Sequence, residues 1–125
     1  NLSLSRLRQV INLAGVPLAQ TAAVLAHAAC TVSVNTGVMH LAAALGGPVV
    51  GLHGATNVAR WGPIGPQAVA IVATGPGCGS LDLGFEPVPR KDCTDSISVE
   101  DVMEALEALI DAAAAARPTE ALRSG

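Results

Sequence analysis

Charged side chains are missing from a long stretch of this chain. Between Arg8 and Arg60 there is no Asp, Glu, Lys or Arg, which leaves a gap of 51 residues. A transmembrane helix needs about 18 or more consecutive apolar residues, and polar residues and prolines interrupt this gap too often for that. Disordered segments are poor in apolar residues and rich in net charge, the opposite of what is found. The gap therefore indicates the buried centre of an α/β domain.

Aromatic residues and basic clusters are also scarce. The 125 residues include one tryptophan, one phenylalanine and no tyrosine, and the net charge is −3. Without a basic cluster, nucleic acid is not expected as a partner. The three cysteines, Cys30, Cys78 and Cys93, lack the spacing of a disulfide framework, which favours a reducing compartment. Cys78 and Cys93 are also too far apart for a typical metal site, so no metal is predicted.

Short β-prone runs alternate with helical segments over the first 73 residues. Four strands are predicted, at Val10–Leu13, Thr31–Val34, Val49–His53 and Ala68–Ala73. Helices are predicted at Leu18–Ala29 and Val38–Leu45, the second of them ended by Gly46, Gly47 and Pro48. Strands of near-continuous apolar character that alternate with helices predict a parallel sheet covered on both faces. The expected fold is a Rossmann-like three-layer α/β/α domain.

The pattern changes after the third predicted strand. Residues 54–66 form a predicted loop rich in glycine and proline, and 75–97 a long irregular loop. A last helix is predicted over 98–116, with Ser98 and Asp101 as a capping pair. Its core face would hold Val102, Leu106, Leu109 and Ile110. We expect one domain over 1–117 and a frayed tail over 118–125.

A candidate ligand site follows the second predicted strand. In open parallel sheets, ligands bind beyond the carboxyl ends of the strands, and Asn35, Thr36 and Gly37 lie at such an end, directly before a helix. The first turn of a helix offers unpaired N–H groups and partial positive charge to an anion. Gly37 would let a phosphate approach the backbone, and His40 would reach the same pocket. The alternative is that Asn35 or Thr36 only caps the helix and His40 only packs on the sheet.

A longer stretch of sequence adds a resemblance. The run NTGVMHLAAALGGPVVGLHGAT at 35–56, continued by RWGPIGP at 60–66, resembles the C-terminal half of glycosyltransferase family 9, the ADP-heptose:lipopolysaccharide heptosyltransferases. The likeness covers most of residues 10–110. It implies a two-domain GT-B architecture, in which two Rossmann-like halves face each other across a cleft. The C-terminal half would bind the nucleotide sugar, and the N-terminal half would present a lipid-linked saccharide acceptor.

The resemblance also assigns residues to the donor site. By this resemblance, the diphosphate and sugar of the donor would be held by Asn35, Thr36, Gly37 and His40. Val16 would line the adenine pocket, with a plain apolar anchor as the alternative. The cleft would be bordered by Gly54 and Thr56. No separate cofactor is implied, since the nucleotide sugar is itself the substrate.

The chain departs from the family pattern at Asn35, at His53 and at 55–58, where ATNV replaces the common Pro-Thr-Asp-Pro. Asn35 stands where the family usually has Asp, so a neutral amide replaces a carboxylate that would accept hydrogen bonds from sugar hydroxyls. His53 replaces a usual apolar or aromatic residue. We interpret His53 as a strand-end histidine that touches solvent, with a ligand contact as the alternative.

Sugar transfer needs a base near the acceptor hydroxyl, and no catalytic residue is predicted in this chain. No acidic residue occurs before residue 60, and in the resembled family the base and a phosphate-binding lysine come from an upstream half. Because the chain begins with Asn1, we expect it to be part of a longer enzyme and to be inactive alone.

The expected location is cytoplasmic, or peripheral on the inner face of the inner membrane. The alternative function is a non-catalytic nucleotide or nucleotide-sugar binding module.

Overall fold

The structure is a computed structural model that describes residues 9–54, 56–75 and 93–116. In chain order its elements are α1 (Leu18–His27), β1 (Thr31–Val34), α2 (Gly37–Ala44), β2 (Val49–His53), α3 (Val58–Trp61), β3 (Ala68–Val72) and α4 (Val99–Ala116). A 3-10 turn at Thr94–Ser96 precedes α4. Most of the predicted loop 75–97 and the predicted tail 118–125 lie outside the described residues.

The three strands form one parallel sheet in the order β1-β2-β3. Val34 of β1 pairs with Leu52 of β2, and Leu52 pairs with Ile71 of β3. The central strand is covered on both faces, because its neighbours Val49 and Val50 point to opposite faces and are each 0% exposed. The predicted α/β fold with a Rossmann-like parallel sheet is confirmed.

The helices cover the central strand of the sheet but leave part of β1 exposed. Helix α2 packs against β1 and β2, α4 packs against β2 and β3, and α1 packs against α2. The core under α2 is formed by Met39, Ala42, Ala43 and Val49. On the Val50 face of β1, by contrast, Val32 and Val34 are 42% and 50% exposed. The edge strand is therefore covered less well than the central one.

Helix α2 ends where its sequence predicts an end. Gly46 has φ of +83°, and its N–H donates to the carbonyl of Ala43. Only glycine adopts this left-handed conformation without a steric penalty, which makes it the usual residue after a helix. The turn carries the chain from α2 back into β2, so both elements can pack together.

The N-cap of helix α4 and its core-facing side agree with the prediction from sequence. The Ser98 hydroxyl accepts a hydrogen bond from the Asp101 backbone N–H at 3.1 Å, as an N-cap does. The predicted core residues of this helix are half-buried, whereas its acidic residues are exposed. The core residues are Val102, Leu106, Leu109 and Ile110.

The predicted strand at Val10–Leu13 is wrong. This segment is outside the sheet, and Val10 and Ile11 are 69% and 79% exposed. The Asn12 side chain accepts a hydrogen bond from the Ala14 N–H, and the Val16 N–H donates to the Leu13 carbonyl, so the chain turns instead of extending. A short apolar run has strand propensity, but it forms a strand only where a neighbouring strand pairs with it, and a local Asn turn competes with that pairing.

Two smaller differences from the prediction concern the end of α1 and the loop 54–66. Helix α1 ends at His27 rather than Ala29, because Ala28 is already extended. The predicted loop 54–66 contains the one-turn helix α3. Its N-cap is Asn57, whose side chain accepts a hydrogen bond from the Ala59 N–H at 2.9 Å. Within α3, the Arg60 guanidinium lies 5.2 Å from the centre of the Trp61 ring.

Candidate functional site

The carboxyl ends of β1 and β2 lie side by side. The Asn35 N–H donates to the Leu52 carbonyl at 3.1 Å, which continues the register one residue past the end of β1. Asn35 is therefore placed beside His53, the last residue of β2. The predicted residues that follow each strand meet at one edge of the sheet, Asn35, Thr36 and Gly37 after β1, and Gly54 and Thr56 after β2. This is the edge where parallel α/β sheets bind ligands.

Helix α2 starts at this edge with backbone donors unpaired. Thr36 is the N-cap in an extended conformation, and its side chain makes no capping hydrogen bond. Its hydroxyl instead donates to the Val34 carbonyl at 3.4 Å. Among the described residues, nothing accepts a hydrogen bond from the N–H groups of Gly37 and Val38. These groups, at the positive end of the helix dipole, can bind an anion.

Space for a ligand exists in front of these donors. A Cβ added at Gly37 would meet no atom within 4 Å. A cavity of about 400 Å³ opens there. It lies between the starts of α1 and α2 and is lined by Leu18, Thr36, Gly37, Val38 and Leu41. The cavity combines a mainly apolar wall with the polar start of α2, which suits a ligand with a flat apolar part and an anionic part.

The sequence identified only part of this lining. Thr36 and Gly37 are predicted site residues, whereas Leu18, Val38 and Leu41 are predicted only as parts of helices. No sequence signal marks Leu18, because its 70% exposure is visible only in the structure. Val16 is half-buried in the turn before α1 and is not part of this cavity lining. Its assignment to an adenine pocket stays a prediction.

His40 and His53 flank the edge from two elements. His40 is exposed on the first turn of α2, whereas His53 is 0% exposed at the end of β2. Burial lowers the pKa of His53 below its usual value of 6.5, and the nearby His40 lowers it further. The interpretation of His53 as a histidine that touches solvent is wrong. Its ring lies on the covered face of a central strand, so the end of the strand is not the end of the core.

Thr56 is joined to His53. The Thr56 hydroxyl lies 3.0 Å from Nδ1 of His53, and both Thr56 and Gly54 are half-buried. The hydrogen bond connects the loop after β2 to the strand itself. The two predicted cleft residues are thus held at the same sheet edge as the start of α2.

The electrostatics of this edge suit a neutral or anionic ligand. No acidic residue occupies the first turn of α2, and the chain has none before residue 60. A bound phosphate would therefore meet backbone donors and histidines, with no carboxylate on β1, α2 or β2 to repel it. In the part of the chain that the structure describes, no group of three or more His, Cys, Asp or Glu could hold a metal ion.

The cysteines differ from their prediction. Burial raises the pKa of the half-buried Cys30 thiol, which is free. Cys93 is 6% exposed and disulfide-bonded. The expectation of reduced cysteines is therefore wrong for Cys93, and cysteine spacing gives no support for a reducing compartment. None of the described helices is both long and apolar enough to cross a membrane.

The fold and the carboxyl edge of the sheet together indicate the class of protein. A parallel α/β sheet with an open helix N-terminus and a cavity at its carboxyl edge is the arrangement in which many α/β proteins hold a ligand. Residues 3–80 match the family described as glycosyltransferase family 9 (heptosyltransferase). The match spans more than half of the chain, so this chain belongs to that family and is a glycosyltransferase sequence. Comparison with curated proteins and with solved structures returned no match.

Proposed function

We propose that this chain is the donor-binding, C-terminal half of a GT-B glycosyltransferase, with ADP-heptose as the donor and a lipopolysaccharide-type acceptor. The observation that supports the proposal is the start of α2, where unpaired N–H groups face an open cavity beside Thr36. A nucleotide diphosphate is the leaving group of such a transfer, and N–H donors around it stabilise the developing negative charge. The heptose and the acceptor follow from the family resemblance.

The proposed positions of the donor follow from the geometry of the edge. The diphosphate would accept hydrogen bonds from the N–H groups of Gly37 and Val38. The Thr36 hydroxyl, whose one hydrogen is donated to the Val34 carbonyl in the structure, would contribute only by turning from that carbonyl to the phosphate. The apolar wall formed by Leu18 and Leu41 would contact the flat base. Val16, two residues before Leu18 in the chain, would lie at the adenine end of that wall.

The sugar would lie near Asn35 and His40. Asn35 has an amide that both donates and accepts, so it can bind a sugar hydroxyl in either sense, whereas the usual Asp only accepts. This difference leaves the pocket able to bind a sugar but without the charge of the family's usual side chain. We therefore expect weaker discrimination among sugars than a carboxylate would give.

The acceptor and the base would come from a second half. The described acidic residues lie on the 3-10 turn before α4 and on the exposed face of α4 itself, and none of them belongs to β1, α2 or β2. We propose that a preceding Rossmann-like half supplies the base and the lipid-linked saccharide, and that this chain alone transfers no sugar. The proposed location is the cytoplasm, or the inner face of the inner membrane through the acceptor lipid.

The backbone donor at Gly37 can be tested directly. Proline lacks an N–H but is tolerated at the first position of a helix, and the extended Thr36 before it, with φ of −145° and ψ of 173°, suits a following proline. We expect Gly37→Pro to weaken ADP binding by about tenfold or more, as for a lost hydrogen bond to a charged group. Gly37→Ala keeps the N–H and adds a Cβ in open space, so it is the matched control.

Calorimetric titration of the chain with ADP, UDP and GDP would measure these effects. Tighter binding of ADP than of the other two supports the adenine assignment. Equal weakening by Gly37→Pro and Gly37→Ala would contradict the role of the N–H group. If ADP binds as proposed but the complete protein transfers no sugar from ADP-heptose, a non-catalytic binding module becomes the better description.

A further inference from the structure

His53 is a buried histidine at the edge of the proposed donor site. Its side chain lies on the same face of β2 as Gly51, because alternate residues of a strand share a face. A Cβ added at Gly51 would lie 2.7 Å from the Met39 sulfur, so this face is packed under α2. The His53 ring therefore lies in the apolar layer between β2 and α2, and it is 0% exposed.

The two ring nitrogens of His53 have different surroundings. Nδ1 lies 3.0 Å from the Thr56 hydroxyl oxygen. Nε2 is buried and has no hydrogen-bond partner among the described residues. A neutral imidazole has one N–H and one bare nitrogen, and which nitrogen holds the hydrogen is set by the available partners.

The unpaired Nε2 decides between the two tautomers. A buried N–H without an acceptor is rarer in proteins than a buried acceptor without a donor. The favoured tautomer therefore places the hydrogen on Nδ1, where it is donated to the Thr56 oxygen, and leaves Nε2 as a bare lone pair. Burial, which lowers the pKa of His53, keeps the ring neutral so that this choice of tautomer applies.

This tautomer determines what Thr56 can do. When its oxygen accepts from His53, the hydroxyl hydrogen of Thr56 is free to be donated to another group. Thr56 is half-buried at the sheet edge, so that group can be a ligand. We propose that His53 is a positioning residue that makes Thr56 a hydrogen-bond donor to an oxygen of the bound nucleotide sugar.

The proposal rests on the proposed function, since it assumes a donor at this edge. It names an oxygen acceptor, which both a diphosphate and a sugar hydroxyl provide. It also explains a histidine at a position where an apolar side chain would pack without an unpaired nitrogen. A phenylalanine would fill the same ring space but could not orient Thr56.

The tautomer can be measured without any ligand. Long-range ¹H–¹⁵N correlation spectra distinguish a protonated from a bare ring nitrogen. We expect His53 in the complete protein to show a protonated Nδ1 and a bare Nε2 at neutral pH. A protonated Nε2 would overturn the proposal, because Thr56 would then donate to the ring and have no hydrogen left for a ligand.

Binding measurements test the second half of the proposal. We expect Thr56→Val and His53→Phe each to weaken ligand binding by about three- to tenfold where the acceptor is a neutral sugar hydroxyl, and by about tenfold or more where it is the charged diphosphate. Thr56→Ser keeps the hydroxyl and should bind like the unchanged protein. His27→Gln is the control, because His27 is exposed and, among the described residues, hydrogen-bonds only the Ala23 carbonyl of its own helix, at 2.9 Å.

The two ligands separate the possible acceptor oxygens. Equal weakening of ADP and ADP-heptose assigns the Thr56 contact to the diphosphate, and weakening of ADP-heptose alone assigns it to the sugar. Unchanged binding of both ligands by Thr56→Val would refute the proposal. If the unchanged protein binds neither ligand, both the proposed function and the ligand contact of Thr56 are refuted. The nitrogen spectra would then still show whether His53 donates to Thr56.

The stability of His53→Phe separates positioning from structure. Phenylalanine removes the unpaired nitrogen, so this variant should unfold at the same or a higher urea concentration while it binds more weakly. A loss of binding that occurs only with a loss of stability would show that His53 acts by packing, which contradicts the proposal.

Discussion

Gly51 allows α2 to pack closely on the central strand, and this can be tested by adding one methyl group. An added Cβ would lie 2.7 Å from the Met39 sulfur and 3.3 Å from both Cδ and Cγ of Pro63. Favourable contacts between carbon atoms lie near 3.5–4.0 Å, so the sulfur contact is short by about 1 Å. Met39 is 0% exposed and has no solvent to move into. We therefore expect Gly51→Ala to destabilise the protein by about 2–3 kcal/mol, in the upper part of the range for overpacked cores.

Urea unfolding followed by circular dichroism would measure this change. Gly37→Ala is the matched control, because its Cβ would meet no atom within 4 Å and its stability should change by less than about 0.5 kcal/mol. A stability of Gly51→Ala within that same margin would refute the packing argument.

A second substitution tests whether Met39 is the residue that matters. Met39→Ala alone should cost about 2–5 kcal/mol through the cavity it leaves. Because the new methyl group of Gly51→Ala would fill part of that cavity, the double variant should be more stable than the sum of the single changes by about 0.5–3 kcal/mol. Strict additivity would mean that the clash is relieved elsewhere, for instance at Pro63.

Two further predictions concern pH and helix capping. The pKa of His53 is lower in the folded protein than its usual 6.5. As the pH falls, the unfolded chain therefore protonates this ring before the folded protein does. The free energy of unfolding should decrease as the pH drops below about 6.5, until the folded ring is protonated too. Urea midpoints from pH 8 to pH 5 would show this slope, and His53→Phe should reduce it; an unchanged slope would contradict the assignment. Ser98→Ala should lose about 1 kcal/mol, because Asp101 N–H loses its acceptor at the start of α4. Ser98→Asp keeps an acceptor there and should retain most of the stability, which the same unfolding curves would show.

The site was only partly predictable from sequence, for a reason that His53 illustrates. The type and position of Asn35, Thr36 and Gly37 could be read from the sequence, because a strand end followed by a glycine and a helix is a local pattern. Whether a side chain at a strand end is buried depends on the helix packed over it. For His53 that helix is α2, whose Met39 is close in space but fourteen positions away in the chain.

Val10–Leu13 illustrates the same point for secondary structure. Its apolar residues favour a strand, but strand formation needs a partner with free N–H and C=O groups, and the Asn12 turn is available locally. The sequence expresses the preference of a segment, whereas the pairing depends on the rest of the sheet.

The sequence by itself determined the α/β class, the strands at Thr31–Val34 and Val49–His53, the glycine end of α2 and the Ser98 cap, since each follows a pattern among neighbouring residues. Only the tertiary structure decided that Leu18 and Leu41 share a cavity with Thr36, and that a buried His53 bonds to Thr56 with one nitrogen unpaired. Cavities and burial arise from packing between elements distant in the chain, and short-range periodicity contains no information about which elements those are.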